Sequence, residues 1–274
     1  MTGRADDARC WVVPVALTLA LGMIPGIRAE EPVDEAAQEV FDCMKKNIPD
    51  RTSEETVRFK QVDRVGGERT SRGKIFGKRR EDGLRRVKLC FTKPQDVRGS
   101  ELLVIENGSR SNDMFMYSPE LRKSKRIISH GAKGSVFGTD FSYEDFERWQ
   151  GLEKAGELSR LEDGFLEDRP VFVMSSKPAP EVESVYEEVV SFVDKETCVT
   201  LRSESFEPGK KLRKVLSVDP EQLQRRNGIW IATELTMRDV RDETQTHVAV
   251  EDIEIDQPIN DQILSLGQLG RRCK

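Results

Sequence analysis

Three consecutive segments decide the fold class: "TVRFKQVDRV" (56–65), "RTSRGKIFGKR" (69–79) and "LRRVKLCFTK" (84–93). Turns that contain glycine separate them, and apolar and polar residues alternate within each segment. In the third segment Val87, Leu89 and Phe91 point to one face, and polar residues occupy most of the positions between them. The pattern predicts a three-stranded antiparallel meander.

The alternation is lost in the next two segments, "GSELLVIENG" (99–108) and "NDMFMYSP" (112–119). A strand that is apolar on both sides is buried on both faces, or is buried on one face and exposes an apolar surface on the other. A further strand is predicted at 123–129, and six more follow residue 150. The chain should therefore contain about twelve strands.

Helices are predicted at three places. Residues 33–48 carry apolar side chains at three- and four-residue spacing and end before a proline. Residues 142–150 form a second helix, with Ser142 as N-cap and Asp145 at the third helical position. A short helix at 260–269 closes the chain. We expect one large, strongly curved antiparallel sheet with helices on one side, and a two-sheet sandwich is the alternative.

The first 29 residues are typical of a secretory signal. Arg4 and Arg9 precede an apolar run at 10–27, which is followed by Ala29 and an acidic segment. The run is short and is interrupted by prolines, so an uncleaved membrane anchor is the less favoured alternative. No Cys follows the run at the cleavage point. The prediction is a soluble periplasmic protein with a single domain at 30–274.

The composition excludes some classes of function. The net charge of −5 argues against a nucleic-acid-binding protein, which usually carries a basic surface. Four cysteines follow the signal, namely Cys43, Cys90, Cys198 and Cys273, and four cysteines can pair in three ways. Their wide spacing does not suit a zinc site, which uses close pairs of ligands.

The sequence gives little indication of catalysis. His130 and His247 are the two histidines, and neither belongs to a metalloprotease or nucleophile-elbow motif. The glycine-bearing loop at 130–140 lacks the context of a phosphate-binding loop. The acidic residues at 140–147 lack calcium-loop spacing and suit a helix N-terminus. We therefore predict no enzyme activity, no cofactor and no metal.

An apolar segment is followed directly by a basic one at "DMFMYSPELRKSKRI" (113–127). The methionine and aromatic residues 114–117 suit either a core or an adaptable wall around an apolar ligand. The basic residues suit either a solvated loop or a contact with anionic headgroups or an acidic partner. These candidate contact residues are Arg122, Lys123, Lys125 and Arg126.

Several motifs resemble the outer-membrane lipoprotein-sorting-like family, which is related to the carriers LolA and LolB. The motifs are Phe91-Pro94, Gly99, Tyr117-Pro119, Arg126-Ile127, Gly138-Thr139-Asp140-Phe141 and Tyr143-Glu144-Asp145. The resemblance is dense over 91–146, and residues 228–269 look like the closing hairpin and helix of the family. It implies a half-open antiparallel barrel of about 11–12 strands wrapped over short helices, with an apolar concave face that holds acyl chains.

The resemblance implies a non-enzymatic carrier or chaperone for lipoproteins or another envelope lipid. The alternative is an accessory module of an RND-type envelope exporter, without cargo transfer. Acyl chains, and an inner-membrane exporter in the alternative, are the expected partners. The candidate cavity residues are Leu103, Ile105, Met114, Phe115, Met116, Tyr117 and Trp230.

Overall fold

The computed structural model describes residues 1–2, 34–128, 134–179 and 182–271. The fold reported below is that of the unit Val33–Lys274. Of the predicted signal at 1–29, the structure describes only residues 1–2. His130 and Cys273 lie outside the described residues. The predictions made for them therefore stay predictions.

The described residues form two α-helices, sixteen strands and three short 3-10 helices. The helices are α1 Glu35–Lys45 and α2 Tyr143–Trp149. The strands are β1 Thr52–Val62, β2 Glu68–Arg79, β3 Arg85–Lys93, β4 Glu101–Ile105, β5 Asp113–Ser118, β6 Lys123–Ile127, β7 Ala155–Arg160, β8 Gly164–Leu166, β9 Arg169–Pro178, β10 Glu188–Asp194, β11 Thr200–Glu207, β12 Lys211–Val218, β13 Leu223–Arg226, β14 Ile229–Ala232, β15 Glu234–Asp239 and β16 Thr244–Ile255. The 3-10 helices are Pro220–Gln222, Asp261–Leu264 and Leu266–Gln268.

One antiparallel sheet contains fourteen of these strands. Its order is β6-β5-β4-β3-β2-β1-β16-β15-β12-β11-β10-β9-β7, and β8 also pairs with β9. Pairing of β16 with β1 joins the two halves of the sheet, whereas the edge strands β6 and β7 do not pair with each other in the described chain, so the sheet stays open. Strands β13 and β14 form a separate hairpin. The predicted half-open antiparallel fold is confirmed.

The structure contains more strands than the sequence pattern indicates. Strand β12 carries three basic residues among its eight positions, so it lacks a clear apolar alternation. One of these residues, Lys214, is buried because it pairs with Asp145 of α2 at 2.7 Å. The short strands β8 and β13, together with a break between β14 and β15, account for the rest of the difference.

Helix α2 packs on one face of the sheet, which we call the inner face. Ser142 accepts a hydrogen bond from the Asp145 backbone N–H, and the Asp145 carboxylate accepts one from the Ser142 N–H, as predicted. Phe146 and Trp149 place their rings 6.0 Å apart, and the Trp149 ring lies 6.4 Å from Phe59 of β1. Burial of these rings fixes α2 against the sheet.

Helix α1 packs on the same face at the other half of the sheet. Its buried residues Val40 and Phe41 contact Met174 of β9 and Val193 of β10. A disulfide between Cys43 and Cys198, with a Cα–Cα distance of 5.6 Å, links the helix to the turn between β10 and β11. The helix predicted at 33–48 is thus confirmed, with tighter bounds of Glu35–Lys45.

Candidate functional site

A cavity of about 240 Å³ lies between the inner face of the sheet, α1, the segment after α2 and the β13–β14 hairpin. Its apolar wall is formed by side chains of the sheet, α1 and the hairpin. The apolar residues that line it include Phe41, Met44, Met174, Leu216, Trp230, Leu235 and Met237. Methionine is frequent here, and its unbranched side chain adapts to irregular apolar surfaces.

The register of the sheet explains where the space comes from. Ser203 pairs with Leu216, which in turn pairs with Met237, so these three side chains point into the cavity side by side. Ser191 of β10 and Ser205 of β11 also line the cavity, so their side chains lie on the same face of the sheet. Small serine side chains on β10 and β11 leave volume that the larger residues of β12 and β15 enclose.

Asn47 holds together three elements at the rim of this cavity. Its side-chain oxygen accepts a hydrogen bond from the Trp230 backbone N–H at 2.9 Å. Its amide nitrogen donates to the Thr197 carbonyl at 2.8 Å. Together with the Cys43–Cys198 disulfide, these bonds position the end of α1, the β10–β11 turn and the hairpin that carries Trp230.

One end of the cavity is polar, and we call the group of Glu55, Arg85, Arg148 and Glu153 the polar end. Arg85 is 4% exposed and donates from Nη1 to the Gln150 carbonyl at 2.6 Å. Burial lowers the pKa of Arg85 to about 10 and raises the pKa of Glu55 to about 7. Burial also raises the pKa of Glu153.

A buried ion pair closes another part of the wall. Lys214 of β12 contacts the Asp145 carboxylate at 2.7 Å, and Tyr186 donates from its hydroxyl to the same carboxylate at 2.9 Å. Burial and the neighbouring Asp145 charge raise the pKa of Tyr186 far above its usual range. These contacts neutralise Asp145 and attach α2 to β12, so this carboxylate is engaged in structure.

A second cavity, of about 400 Å³, lies between the β5–β6 end of the sheet and the ends of β9 and β10. Its wall is mostly charged or polar, and Arg148, Glu153 and Ser176 line both cavities. Burial raises the pKa of Glu147 to about 7, although this carboxylate accepts a hydrogen bond from Asn112 at 2.9 Å. The two cavities are therefore neighbours separated by a few polar side chains.

The structure separates the predicted cavity residues into two groups. Trp230 lines the first cavity and Met114 lines the second. Met114 and Met116 pair with Val104 and Leu102, whose side chains belong to the inner core, so both methionines face inward.

The other predicted cavity residues lie on the opposite face of the sheet, because they alternate with these inward-facing positions; they are Leu103, Ile105, Phe115 and Tyr117. None of them lines either of the two cavities described above. The C-terminal segment covers part of this opposite face. A Cβ atom on Gly270 would lie 2.4 Å from the Tyr117 ring, and Gly270 has a φ of +79°, so only glycine suits this close approach.

Beneath the same segment, Lys88 and Glu101 form an ion pair at 2.9 Å, with side chains 0% and 1% exposed. The Gly270 N–H donates to Glu101 at 3.1 Å. The C-terminal segment thus covers the part of the opposite face that carries Tyr117 and Glu101.

The four predicted basic contact residues lie at or next to the edge strand β6, and we call Arg122, Lys123, Lys125 and Arg126 the basic edge. All four are exposed, and Arg126 forms an ion pair with Asp113 of β5. Leu121 and Ile128, which flank the basic edge, are each 67% exposed. Lysines on a free edge strand also prevent unwanted pairing with other sheets.

The polar end could not be found from sequence motifs, because its residues come from β1, β3 and the region of α2. One feature could have pointed to the polar end: Glu55 is a charged residue at a strand position that faces inward, since it pairs with the core residue Ile75. His247 lies on β16, with Nδ1 2.8 Å from the Thr236 hydroxyl. In the described residues, no group of three or more His, Cys, Asp or Glu side chains is placed to hold a metal ion.

Three solved structures are similar to the chain over most of its length. A DUF1329 family protein from Desulfovibrio piger is 20% identical with a TM-score of 0.80, and the match covers 86% of this chain and 98% of that one. A putative outer membrane lipoprotein-sorting protein domain from Vibrio parahaemolyticus is 21% identical with a TM-score of 0.78, covering 86% and 99%. A LolA superfamily protein from Nitrosomonas europaea is 15% identical with a TM-score of 0.66, covering 85% and 99%.

The half-open sheet over two helices therefore has the fold of LolA-like proteins, and the resemblance in the sequence is confirmed at this level. A family model whose description reads "Uncharacterized protein" matches residues 83–271, well over half of the chain, and the chain belongs to this family. No curated protein matches the chain. In the part of the chain that the structure describes, none of the helices has the length and apolar character needed to cross a membrane.

Proposed function

We propose that the protein is a non-catalytic carrier that holds an acyl chain of an envelope lipid or lipoprotein in the inner-face cavity. The observation that carries this proposal is the cavity itself, with its wall of Met, Leu, Phe and Trp side chains beneath an open sheet. The names of two structural neighbours, which refer to lipoprotein sorting and to LolA, support the same class of ligand.

The energetics of acyl-chain burial are sufficient without catalytic groups. Each buried methylene contributes roughly 0.8 kcal/mol, so about ten methylenes would contribute on the order of 8 kcal/mol before the costs of ordering. The serines on β10 and β11 leave the space, and the methionines adapt to the shape of the chain. The cavity can therefore bind a flexible apolar chain with useful affinity.

The proposed location is the periplasm, after removal of the signal at 1–29. The Cys43–Cys198 disulfide supports an oxidising compartment, because such bonds are rare in the cytosol. The exposed basic edge, flanked by exposed Leu121 and Ile128, supports a role in docking to anionic headgroups or to an inner-membrane partner such as an exporter.

The proposal is tested with a fluorescent acyl probe and two matched variants. Ser203→Leu places a bulky side chain in the cavity, whereas Ser217→Leu places the same side chain on the exposed, opposite face of β12. We expect Ser203→Leu to weaken probe binding about tenfold or more, and Ser217→Leu to leave it unchanged. Equal binding by both variants, or no binding by the unmodified protein, would refute the proposal.

A further inference from the structure

Three buried polar atoms at the polar end of the cavity have no hydrogen-bond partner among the residues that the structure describes. They are Nε of Arg85, Nε of Arg148 and Oε2 of Glu153, and all three residues line the cavity wall. A buried polar atom without a partner is unfavourable, because it has lost its hydrogen bonds to water and gained none in the protein. These atoms mark the polar end as the part of the cavity wall whose polar groups are incompletely paired, and Arg85 is the residue there that could accept a charged ligand group.

Arg85 is the most firmly positioned of the three residues. Its side chain is 4% exposed, and the bond from Nη1 to the Gln150 carbonyl at 2.6 Å fixes the guanidinium plane. Within the residues that the structure describes, the Arg85 guanidinium forms no direct ion pair, and the carboxyls of Glu55 and Glu106 act on it only through their charge. A buried cation next to a cavity stabilises a bound anion strongly, because the surroundings screen its charge poorly.

We propose that Arg85 binds a carboxylate or phosphate oxygen of an amphipathic ligand whose acyl chain lies in the apolar part of the cavity. The guanidinium fork matches the two oxygens of such a group. This inference rests on the proposed function, because it assigns the headgroup class of the same ligand. An acyl chain with an uncharged head would leave Arg85 without its partner.

The charged residues that line the cavity define how binding depends on pH. They are Lys45, Glu55, Arg85, Asp145, Arg148 and Glu153. Two further charges act on Arg85 from outside the cavity wall: Arg79 opposes its positive charge and Glu106 favours it. Asp145 is neutralised by Lys214, and burial favours the protonated form of Glu55 and Glu153. With Glu55 protonated, the polar end carries the positive charges of Arg85 and Arg148 against at most the single negative charge of Glu153, so it attracts an anion. Ionisation of Glu55 as the pH rises through about 7 then opposes the anion.

The experiment compares decanoate with 1-decanol, two ligands of equal chain length, as displacers of a fluorescent acyl probe at pH 6. We expect the unmodified protein to prefer decanoate by about tenfold, and Arg85→Gln to lose this preference while its affinity for decanol changes less than twofold. Arg86→Gln, on the same strand but on the opposite face, should retain the preference. Inorganic phosphate at the same concentration should not displace the probe.

A second variant keeps the test valid if Arg85→Gln fails to fold. Glu55→Gln mimics the protonated carboxyl, so it should keep the preference for decanoate at pH 8, where the unmodified protein loses most of it. Equal affinity of the unmodified protein for decanoate and decanol at pH 6 would overturn the anion site. Displacement of the probe by inorganic phosphate would overturn the amphipathic ligand, because an anion without an acyl chain would then occupy the site. If neither decanoate nor decanol bound, the proposed carrier function itself would be refuted.

Discussion

Loss of the Cys43–Cys198 disulfide should destabilise the protein and weaken its ligand binding together. The two cysteines are 155 residues apart in the chain, so the bond closes a long loop of the unfolded state. The chain-entropy expression gives about 5 kcal/mol for such a loop, and measured losses are commonly about 2–5 kcal/mol. The double variant Cys43→Ala/Cys198→Ala should therefore lose about 2–5 kcal/mol of its free energy of unfolding.

Urea denaturation followed by circular dichroism measures this loss. With a slope of about 2 kcal/mol per molar urea, the midpoint should fall by about 1 to 2.5 M. The Cys43→Ser/Cys198→Ser variant should give the same loss within about 1 kcal/mol, because both pairs remove the same cross-link. A midpoint change below about 0.3 M would refute the reasoning that the disulfide constrains the unfolded chain.

The functional consequence follows from the position of the bond. The disulfide and Asn47 hold the end of α1 against the β10–β11 turn and the hairpin that carries Trp230. Without the disulfide, this rim of the cavity relies on Asn47 and on the apolar face of α1. We expect the double alanine variant, while still folded, to bind the acyl probe severalfold more weakly and to release it faster.

Three further predictions address other parts of the structure. Lys88→Met should lower the free energy of unfolding, measured by urea denaturation, by about 3–5 kcal/mol, because it leaves the buried Glu101 without its ion-pair partner. Lys60→Met, at the more exposed pair with Glu68, should lower it by less than about 1 kcal/mol. Equal losses in the two variants would contradict this reasoning. The folded-state pKa of Glu55 is raised from 4.5 to about 7, so the native state binds more protons in that range and stability falls as pH rises from 5 to 8. The fall should be on the order of 3 kcal/mol relative to Glu55→Gln, and parallel pH profiles for the two proteins would refute it. Reversing the charge of the basic edge should reduce binding to vesicles that contain anionic lipid while leaving acyl-probe affinity unchanged; unchanged vesicle binding would leave the basic edge with only its role in protecting β6.

The parts of the fold that depend on local signals could be predicted from the sequence. The capping residues Ser142 and Asp145 lie next to each other in the chain, so they identify the start of α2 directly. The alternation in β1 to β3 likewise indicates a meander without knowledge of tertiary contacts. The half-open architecture came from family-like motifs, since strand patterns alone also allow a sandwich.

The candidate site depended on contacts between distant segments. Phe115 and Tyr117 were equally good cavity candidates until the register of β4 and β5 placed them on the opposite face. Lys88 and Lys214 occupy strand positions that usually indicate solvent, yet each is buried because a carboxylate from another element pairs with it. The disulfide pairing and the polar end are also long-range features, so periodicity could not indicate them.

Lipid extraction of the purified protein tests the central claim most directly. The protein spanning residues 30–274 is purified from its own cells, extracted with organic solvent and analysed by mass spectrometry, alongside Ser203→Leu. The account predicts an amphiphile with at least one acyl chain in the unmodified protein and a marked depletion of it in Ser203→Leu. A folded, unmodified protein that releases no lipid and takes up no acyl probe would contradict the account.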